Sequence, residues 1–175
     1  MLRRPSLPLL AVLGAWATAV ALVGIHGEFP LNDDWAYGHV VRSLLDGKGF
    51  DFLPWTGATL VAQAVYGSLL CAATGFSWET LRWGSMLLSV AGVVAFHALL
   101  RGLGTPPRQA AWSAAALAFC PLWFHLAFPF LTDLPFASLA VMATAATAAG
   151  IRRDARGHLL VGSLLAAAAF LVRQH

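Results

Sequence analysis

The chain has 175 residues, of which 59% are hydrophobic and 11% are charged, and its formal net charge is +3. An ordinary soluble domain carries about 25% charged residues, so this composition excludes a water-soluble fold and predicts helices that cross a membrane. The positive charges flank apolar stretches. They therefore indicate membrane topology and not binding to nucleic acid.

The first apolar stretch predicts a membrane-spanning helix over residues 7–25. By the positive-inside rule, Arg3 and Arg4 hold the start of this helix on the cytoplasmic side. A cleaved secretory signal is the alternative interpretation, because Ala17-Thr18-Ala19 is an acceptable cleavage site. Under both interpretations the segment that follows lies on the non-cytoplasmic side.

The segment over residues 26–82 opens with an amphipathic helix. Apolar side chains recur there at the spacing of one helical face, at Tyr37, Val40, Val41, Leu44 and Leu45. Asn32 or Asp33 supplies the N-cap, and Gly47 and Gly49 supply the stop. Such a helix is expected to lie along the membrane surface.

An apolar stretch over residues 57–77 decides the topology. If it crosses the membrane, the basic loops at residues 101–108 and 152–156 lie on the non-cytoplasmic side, against the positive-inside rule. If it only dips into the bilayer, both loops are cytoplasmic and seven of the eight acidic residues lie outside. We therefore predict a dipping apolar helix.

The predicted fold class is an all-α integral membrane protein with a single membrane domain over residues 1–175. It has about five transmembrane helices, an external juxtamembrane amphipathic helix and the dipping helix. The spans are expected at residues 7–25, 83–100, 110–127, 134–151 and 158–172, with the external loop over residues 26–82. We expect the bacterial inner membrane, with the functional face outside the cytoplasm.

Two adjacent carboxylates, Asp33 and Asp34, open the surface helix. The free amides and dipole of a first helical turn favour their ionised form. An ionised carboxylate at the bilayer edge accepts a proton from a hydroxyl nucleophile or orients it. The alternative is that both side chains only cap the helix, and the residues by themselves leave both roles open.

Asp133 is a second candidate, because a carboxylate at the end of an apolar helix is costly and often functional. The alternative is that Asp133 is the N-cap of the helix that starts at Leu134-Pro135. The predicted topology brings Asp133 to the same face as Asp33 and Asp34. Arg173 closes the last apolar stretch on that face, where a guanidinium either binds phosphate or reaches back to the interface.

The two cysteines, Cys71 and Cys120, lie in separate apolar stretches, and the six histidines have no metal-ligand spacing. This pattern indicates neither a disulfide framework nor a zinc site. We predict no cofactor, with a divalent metal left open, and no nucleic-acid partner.

Three elements follow one another in an informative order. Asp33-Asp34-Trp35-Ala36-Tyr37 opens the surface helix, Gly75 to Arg82 precedes the next helix, and Asp133-Leu134-Pro135 forms a later turn. This order resembles the N-terminal half of the GT-C membrane glycosyltransferases that use polyprenyl-phosphate sugars. The most similar patterns belong to the protein O-mannosyltransferase-like and aminoarabinose-transferase-like enzymes, including the RgtA/B/C/D-like group.

The resemblance implies an inverting glycosyltransferase that takes a sugar from a polyprenyl-phosphate donor on the non-cytoplasmic face. In that scheme Asp33 is the general base, with Asp34 beside it in the catalytic pair. Tyr37 and Asp133 shape the polar site, and Arg173 holds the lipid-linked phosphate. The implied partners are the lipid-linked sugar donor and membrane lipid, while the acceptor and the sugar are not specified.

Two features depart from the family pattern. Family members commonly have a Lys-Pro pair before the juxtamembrane stretch, whereas this chain has Leu53-Pro54-Trp55-Thr56. Family enzymes are also several hundred residues long. We therefore expect this chain to be a fragment of a longer enzyme.

Two other classes of protein offer alternatives. A non-catalytic membrane assembly or scaffold protein would bind its partner through the aromatic residues Trp35, Tyr37, Trp55 and Trp78. A transporter subunit would place ionisable groups near the membrane midplane, and the predicted spans have no central charge. Replacing Asp33 with Asn separates an enzyme, which would lose transfer, from a scaffold, which would lose little.

Overall fold

The computed structural model describes residues 7–24, 26–54, 56–57 and 60–174. Within these residues the chain forms eight α-helices and no strand, so the predicted all-α class is confirmed. The helices are α1 (Leu7–Val23), α2 (Asp34–Leu45), α3 (Val61–Cys71), α4 (Trp78–Gly102), α5 (Pro107–Ala118), α6 (Pro121–Leu126), α7 (Asp133–Arg153) and α8 (Arg156–Val172). Arg3, Arg4 and Trp55, on which some predictions rest, lie outside the described residues.

The longest helix, α4, begins before the predicted residue 83 because its first turn is capped twice. The Ser77 hydroxyl oxygen accepts the Thr80 N–H at 3.2 Å. From a distant loop, the Glu28 carboxylate accepts the Trp78 N–H at 2.8 Å. These bonds satisfy backbone donors that the start of a helix otherwise leaves without a partner.

The prediction of one continuous helix over residues 110–127 is wrong. α5 ends at Ala118, and α6 begins at Pro121. Proline lacks a backbone N–H, and its ring clashes with the carbonyl group four residues earlier, so the interior of a helix does not accommodate it. Pro121 instead occupies the start of α6, where the missing N–H costs nothing.

The predicted dipping stretch forms α3, which has 11 residues. This is about 17 Å of helix, against about 30 Å for the hydrocarbon core of a bilayer, so α3 is too short to cross. α3 packs closely on protein. A Cβ added at its Gly67 would lie 2.8 Å from both Phe130 Cζ and Val41 Cγ2.

α4 and α7 pack side by side and run parallel. Gly92 of α4 lies against Ser138 of α7, and farther along both helices Gly102 lies against Arg152. The N-terminal ends of both helices therefore lie together, at the opposite end of the bundle from Arg152.

α8 returns antiparallel to α7. Gly162 lies against Thr147, and the residue after α8, Arg173, pairs with Asp133 at the start of α7. One end of the bundle thus holds the starts of α4 and α7, the finish of α8, and the short helices α2 and α3. We call this end, formed by residues 27–37, 130–133 and 172–173, the acidic end.

Among the described residues, two helices are long and apolar enough to cross a membrane, α4 with 25 residues and α7 with 21. α1 and α8 are apolar but have 17 residues each. The bounds of α1, α7 and α8 lie within two residues of the predicted ones. The count of five spans stays a prediction.

Candidate functional site

Asp33 and Asp34 adjoin at the start of α2 but have different surroundings. Asp33 is the N-cap residue by position, yet its side chain makes no capping hydrogen bond and is exposed. Asp34 is buried, with 1% of its surface exposed. The two carboxylates therefore have different environments, which their identical chemistry in the sequence does not reveal.

Both oxygens of the Asp34 carboxylate accept hydrogen bonds from backbone N–H groups. Its Oδ1 accepts the N–H groups of Leu31 at 3.0 Å and Asn32 at 3.1 Å, and its Oδ2 accepts the Phe130 N–H at 3.4 Å. A buried carboxylate requires such partners, because burial without them is costly. Asp34 thus ties the loop before α2 to the chain just before α7.

Tyr37 follows Asp33 by one turn of α2 and is half-buried. Burial raises the pKa of Tyr37 above its ordinary value, a side-chain hydrogen bond with Thr132 lowers it, and the charges of Asp33 and Asp133 raise it again. The positive charge of Arg173 acts in the opposite direction. Thr132 adjoins Asp133 in the chain, so Tyr37 lies near the ion pair of Asp133 with Arg173, residues that are far from it in the sequence.

Arg173 and Asp133 form an ion pair whose side chains are 31% and 47% exposed, respectively. The alternative role of Asp133 as an N-cap is not observed, because α7 begins at Asp133 itself and the N-cap residue is Thr132, which makes no side-chain capping bond. The Leu60 N–H donates to the Val172 carbonyl at 3.2 Å and fixes the backbone beside Arg173. A guanidinium has five N–H donors, so one ion pair leaves donors for a phosphate.

Arg82 was not among the predicted site residues, but it fixes the loop that leads to Asp33. It is 2% exposed, and its Nη1 donates to the Gly27 carbonyl at 2.7 Å. Its Nη2 donates to the Phe29 carbonyl, and the guanidinium lies 5.1 Å from the centre of the Phe29 ring. The Gly75 to Arg82 element carried the resemblance, and it is the signal that points to this residue.

Glu28 fixes the same loop to the start of α4. Its Oε1 accepts the Ser77 hydroxyl at 2.7 Å, and its Oε2 accepts the Trp78 N–H. The Ser77 hydrogen bond is the main reason that the pKa of Glu28 lies below its ordinary value. With Arg82, these bonds attach residues 27–29 to α4. From its place in the sequence, Glu28 is predicted only to be one of the acidic residues on the non-cytoplasmic side.

Two of the aromatic residues considered for partner binding line one hollow. Trp35 and Trp78 lie in the wall of this hollow, which has a volume of about 230 Å³. The Arg42 guanidinium lies in its wall, 4.2 Å from the centre of the Phe76 ring. Tyr37 is not among the lining residues.

Within the described part of the chain, no three His, Cys, Asp or Glu side chains lie close enough together to hold a metal ion. Cys71 and Cys120 are both free thiols. The absence of a cofactor stays a prediction.

Two described helices are long and apolar enough to cross a bilayer, and a charged pair lies at one end of the bundle, a pattern typical of integral membrane proteins. The chain belongs to the family described as dolichyl-phosphate-mannose-protein mannosyltransferase, whose model matches residues 62–175, more than half of its length. No curated protein and no solved structure matches the chain.

Family membership implies a membrane glycosyltransferase of the GT-C kind with a lipid-linked sugar donor. The resemblance that the motifs indicated is thereby confirmed. The matched region contains Asp133 and Arg173 and begins after Asp33, Asp34 and Tyr37.

Proposed function

We propose that the chain transfers a sugar, with inversion, from a polyprenyl-phosphate donor to a hydroxyl group of an acceptor. The reaction would take place at the acidic end of the bundle, on the non-cytoplasmic face of a bacterial inner membrane. The family supplies the reaction class, and its description names a dolichyl-phosphate-mannose donor and a protein acceptor. The observation that carries the proposal is the ion pair of Asp133 with Arg173, at the end of the bundle that also holds Asp33 and Tyr37.

Asp33 is the general base in this proposal. Its side chain is exposed and makes no capping hydrogen bond, so its oxygens are available to an incoming hydroxyl. The oxygens of Asp34 are taken by three backbone N–H groups. We therefore assign Asp34 to positioning the loop, while the resemblance paired it with Asp33 in catalysis.

The proposed step is an in-line displacement at the anomeric carbon. The acceptor oxygen forms a bond to that carbon while its proton passes to the Asp33 carboxylate. The bond between the anomeric carbon and the phosphate oxygen breaks, and the phosphate leaves with the electron pair. Arg173, together with Tyr37, would stabilise the negative charge that develops on the departing phosphate. Stabilisation of developing charge is usually the largest single contribution to catalysis.

The orientation rests on the distribution of charge. Arg152 contacts the final turn of α4, opposite the acidic end. Arg101, Arg108, Arg153 and Arg156 flank the same helix ends in the sequence. By the positive-inside rule these residues favour the cytoplasmic side, and the acidic end then faces outwards.

Asp33→Asn tests the proposal in membranes supplied with radiolabelled polyprenyl-phosphate mannose. Because a general base contributes about 100-fold to 10,000-fold, transfer should fall by at least about 100-fold. Asp51→Asn removes an exposed carboxylate that pairs with His39 at 2.8 Å, and it should leave transfer unchanged. Unchanged transfer in Asp33→Asn, with normal protein levels, would exclude Asp33 as the base.

A further inference from the structure

The end of the bundle opposite the acidic end is strongly basic. α4 and α7 end there, and α5 and α8 begin there. These helix ends and the turns between them contain five arginines, at Arg101, Arg108, Arg152, Arg153 and Arg156. Asp154 is the one acidic residue in the same segments. We call this end, formed by residues 101–109 and 151–158, the basic end.

The arginines of the basic end are not neutralised by the part of the chain that the structure describes. Within that part, no carboxylate oxygen lies within 4 Å of any of the five guanidinium groups. Four of the five side chains are exposed, and the half-buried one, Arg101, donates its Nη1 to the Thr105 carbonyl. A group of like charges with so little compensation attracts anions from outside the chain.

One of these guanidinium groups has a defined place on the surface. Arg152, in the last turn of α7, lies against Gly102, the last residue of α4. A Cβ added at Gly102 would lie 2.6 Å from Arg152 Cζ and 3.0 Å from its Nη1, so any larger residue would displace the guanidinium. Because Arg101 adjoins Gly102 in the chain, the ends of α4 and α7 bring Arg101 and Arg152 to one part of the surface. Guanidinium donors in such numbers suit a phosphate.

Exposed apolar side chains border the same end. Leu103, Ile151 and Leu160 are all largely exposed. Trp112, one turn after Arg108 on α5, is also largely exposed, and tryptophan at the end of an apolar helix is typical of the bilayer interface. An anion that carries apolar chains would contact both the arginines and these side chains. A soluble anion or a nucleic acid would leave the apolar side chains uncovered.

We propose that the basic end binds the headgroup of an anionic phospholipid. Its phosphate would accept hydrogen bonds from Arg101 and Arg152, and its acyl chains would lie along Ile151 and Leu160. In the predicted orientation this lipid belongs to the cytoplasmic leaflet. The site lies at the opposite end of the bundle from Asp33, so its existence does not depend on the proposed transfer reaction.

Binding is tested on the full chain by native mass spectrometry from detergent micelles. Dioleoyl phosphatidylglycerol is the anionic probe, and dioleoyl phosphatidylethanolamine has the same acyl chains without a net charge. An arginine beside an anionic headgroup contributes about fivefold to affinity, so phosphatidylglycerol should bind at least about fivefold more tightly. Arg152→Gln should weaken that binding by about fivefold. Arg42→Gln removes an exposed arginine from α2, at the other end of the bundle, and should leave it unchanged.

Gly102→Ala separates a defined site from a diffuse attraction to net charge. The variant keeps every charge, but its Cβ displaces the Arg152 guanidinium, so it should weaken phosphatidylglycerol binding about as much as Arg152→Gln does. Gly157→Ala is the matched control, because it adds a methyl group at the same end with no neighbour within 4 Å, and it should bind normally. Undiminished binding in Gly102→Ala would overturn the site between α4 and α7.

Two further results would overturn the proposal. Equal binding of the two phospholipids would describe an unselective apolar surface. Competition by glycerol phosphate at the same concentration as the lipid would describe a site for a soluble anion, because that molecule has the headgroup chemistry without the acyl chains. We expect neither, since the arginines and the exposed apolar side chains lie together at the basic end.

Discussion

Arg173 forms an ion pair with Asp133, and this pair joins the end of α8 to the first turn of α7. Because both side chains are partly exposed, water screens the pair, and such pairs contribute about 0–1 kcal/mol to stability. The main consequence of the pair is therefore geometric. It holds a guanidinium at the acidic end, near Tyr37 and Asp33.

Exchanging the two charges tests this geometry. Asp133→Arg combined with Arg173→Asp keeps an ion pair, so the free energy of unfolding should change by less than about 1 kcal/mol. The cation would move to the other helix, and the KM for a radiolabelled donor should rise by about tenfold or more, as expected for losing a hydrogen bond to a charged group. Asp46→Asn, which breaks the exposed pair of Asp46 with Lys48 at 2.9 Å, is the control and should leave KM unchanged. A normal KM in the exchanged variant would contradict the role of Arg173.

Arg82→Met should loosen the loop that leads to Asp33. The variant loses the bonds to the carbonyls of Gly27 and Phe29, and bonds to a charged group contribute about 1.5–3 kcal/mol each. Hydrogen exchange followed by mass spectrometry should show faster exchange over residues 27–33. Arg42→Met removes an exposed cation from α2 and should leave that exchange unchanged. Equal protection in both variants would mean that Arg82 does not hold the loop.

The bond between Glu28 and the start of α4 should depend on pH. The folded carboxyl group has a pKa below its ordinary value of 4.5, so ionised Glu28 stabilises the contact above that pH. The stabilisation should disappear as the pH falls through the lower, folded pKa. Because an exposed charge at a helix start contributes about 0.3–1 kcal/mol, the protection factor of the Trp78 amide should fall by about 2-fold to 5-fold.

The matched variant for that experiment is Glu28→Gln. It should show little change of Trp78 protection over the same pH range, after correction for intrinsic exchange. Asp33→Asn should respond to pH as the wild type does, because Asp33 does not bond to α4. A pH response that persists in Glu28→Gln would assign the effect to another group.

Gly67→Ala should destabilise the junction of α2, α3 and α4. The added Cβ would lie 2.8 Å from Phe130 Cζ and 3.1 Å from Leu81 Cδ2, so side chains would have to shift. Overpacking should lower the free energy of unfolding by about 1–2 kcal/mol. Gly14→Ala is the control, because that position has no neighbour within 4 Å. Thermal unfolding in mild detergent would measure both, and equal stability would contradict the close packing at Gly67.

Cysteine labelling tests the orientation of the bundle. In a chain with Cys71 and Cys120 replaced by alanine, Gly104→Cys and Asp154→Cys should be protected from an impermeant thiol reagent added outside intact cells. Asp51→Cys should react with it. Reaction at residue 104 or 154 would overturn the outward orientation of the acidic end.

Helices whose limits are set by neighbouring residues were predicted well from the sequence. α2 covers Asp34–Leu45, as its apolar spacing and the following glycine indicate, and Gly47 has the positive φ of 75° that a helix stop favours. The divided helix is a different case. Pro121 is a helix-breaking residue, but the continuous apolar stretch on both sides of it led to the prediction of one helix over residues 110–127.

The arrangement of the site depends on contacts that no local pattern contains. Asp33 and Asp34 have the same side chain, and Asp34 is the one buried against Phe130, which lies 96 positions away in the chain. Arg82 and Glu28 likewise have partners about fifty positions away in the chain. The distribution of charges in the sequence did predict that Asp133 and Arg173 lie at the same end as Asp33, because the positive-inside rule constrains all the helix ends together.

The parallel run of α4 and α7 also has a consequence for biosynthesis. A chain inserted into a bilayer helix by helix can place the starts of two parallel helices on one side only if the segment between them returns across the membrane. With α4 and α7 as predicted spans, that return would fall to α5 and α6, which Pro121 divides. In that topology, the side on which Asp133 emerges during synthesis would depend on α5 and α6, the least regular of the long apolar segments, although they contribute no charged residue to the site.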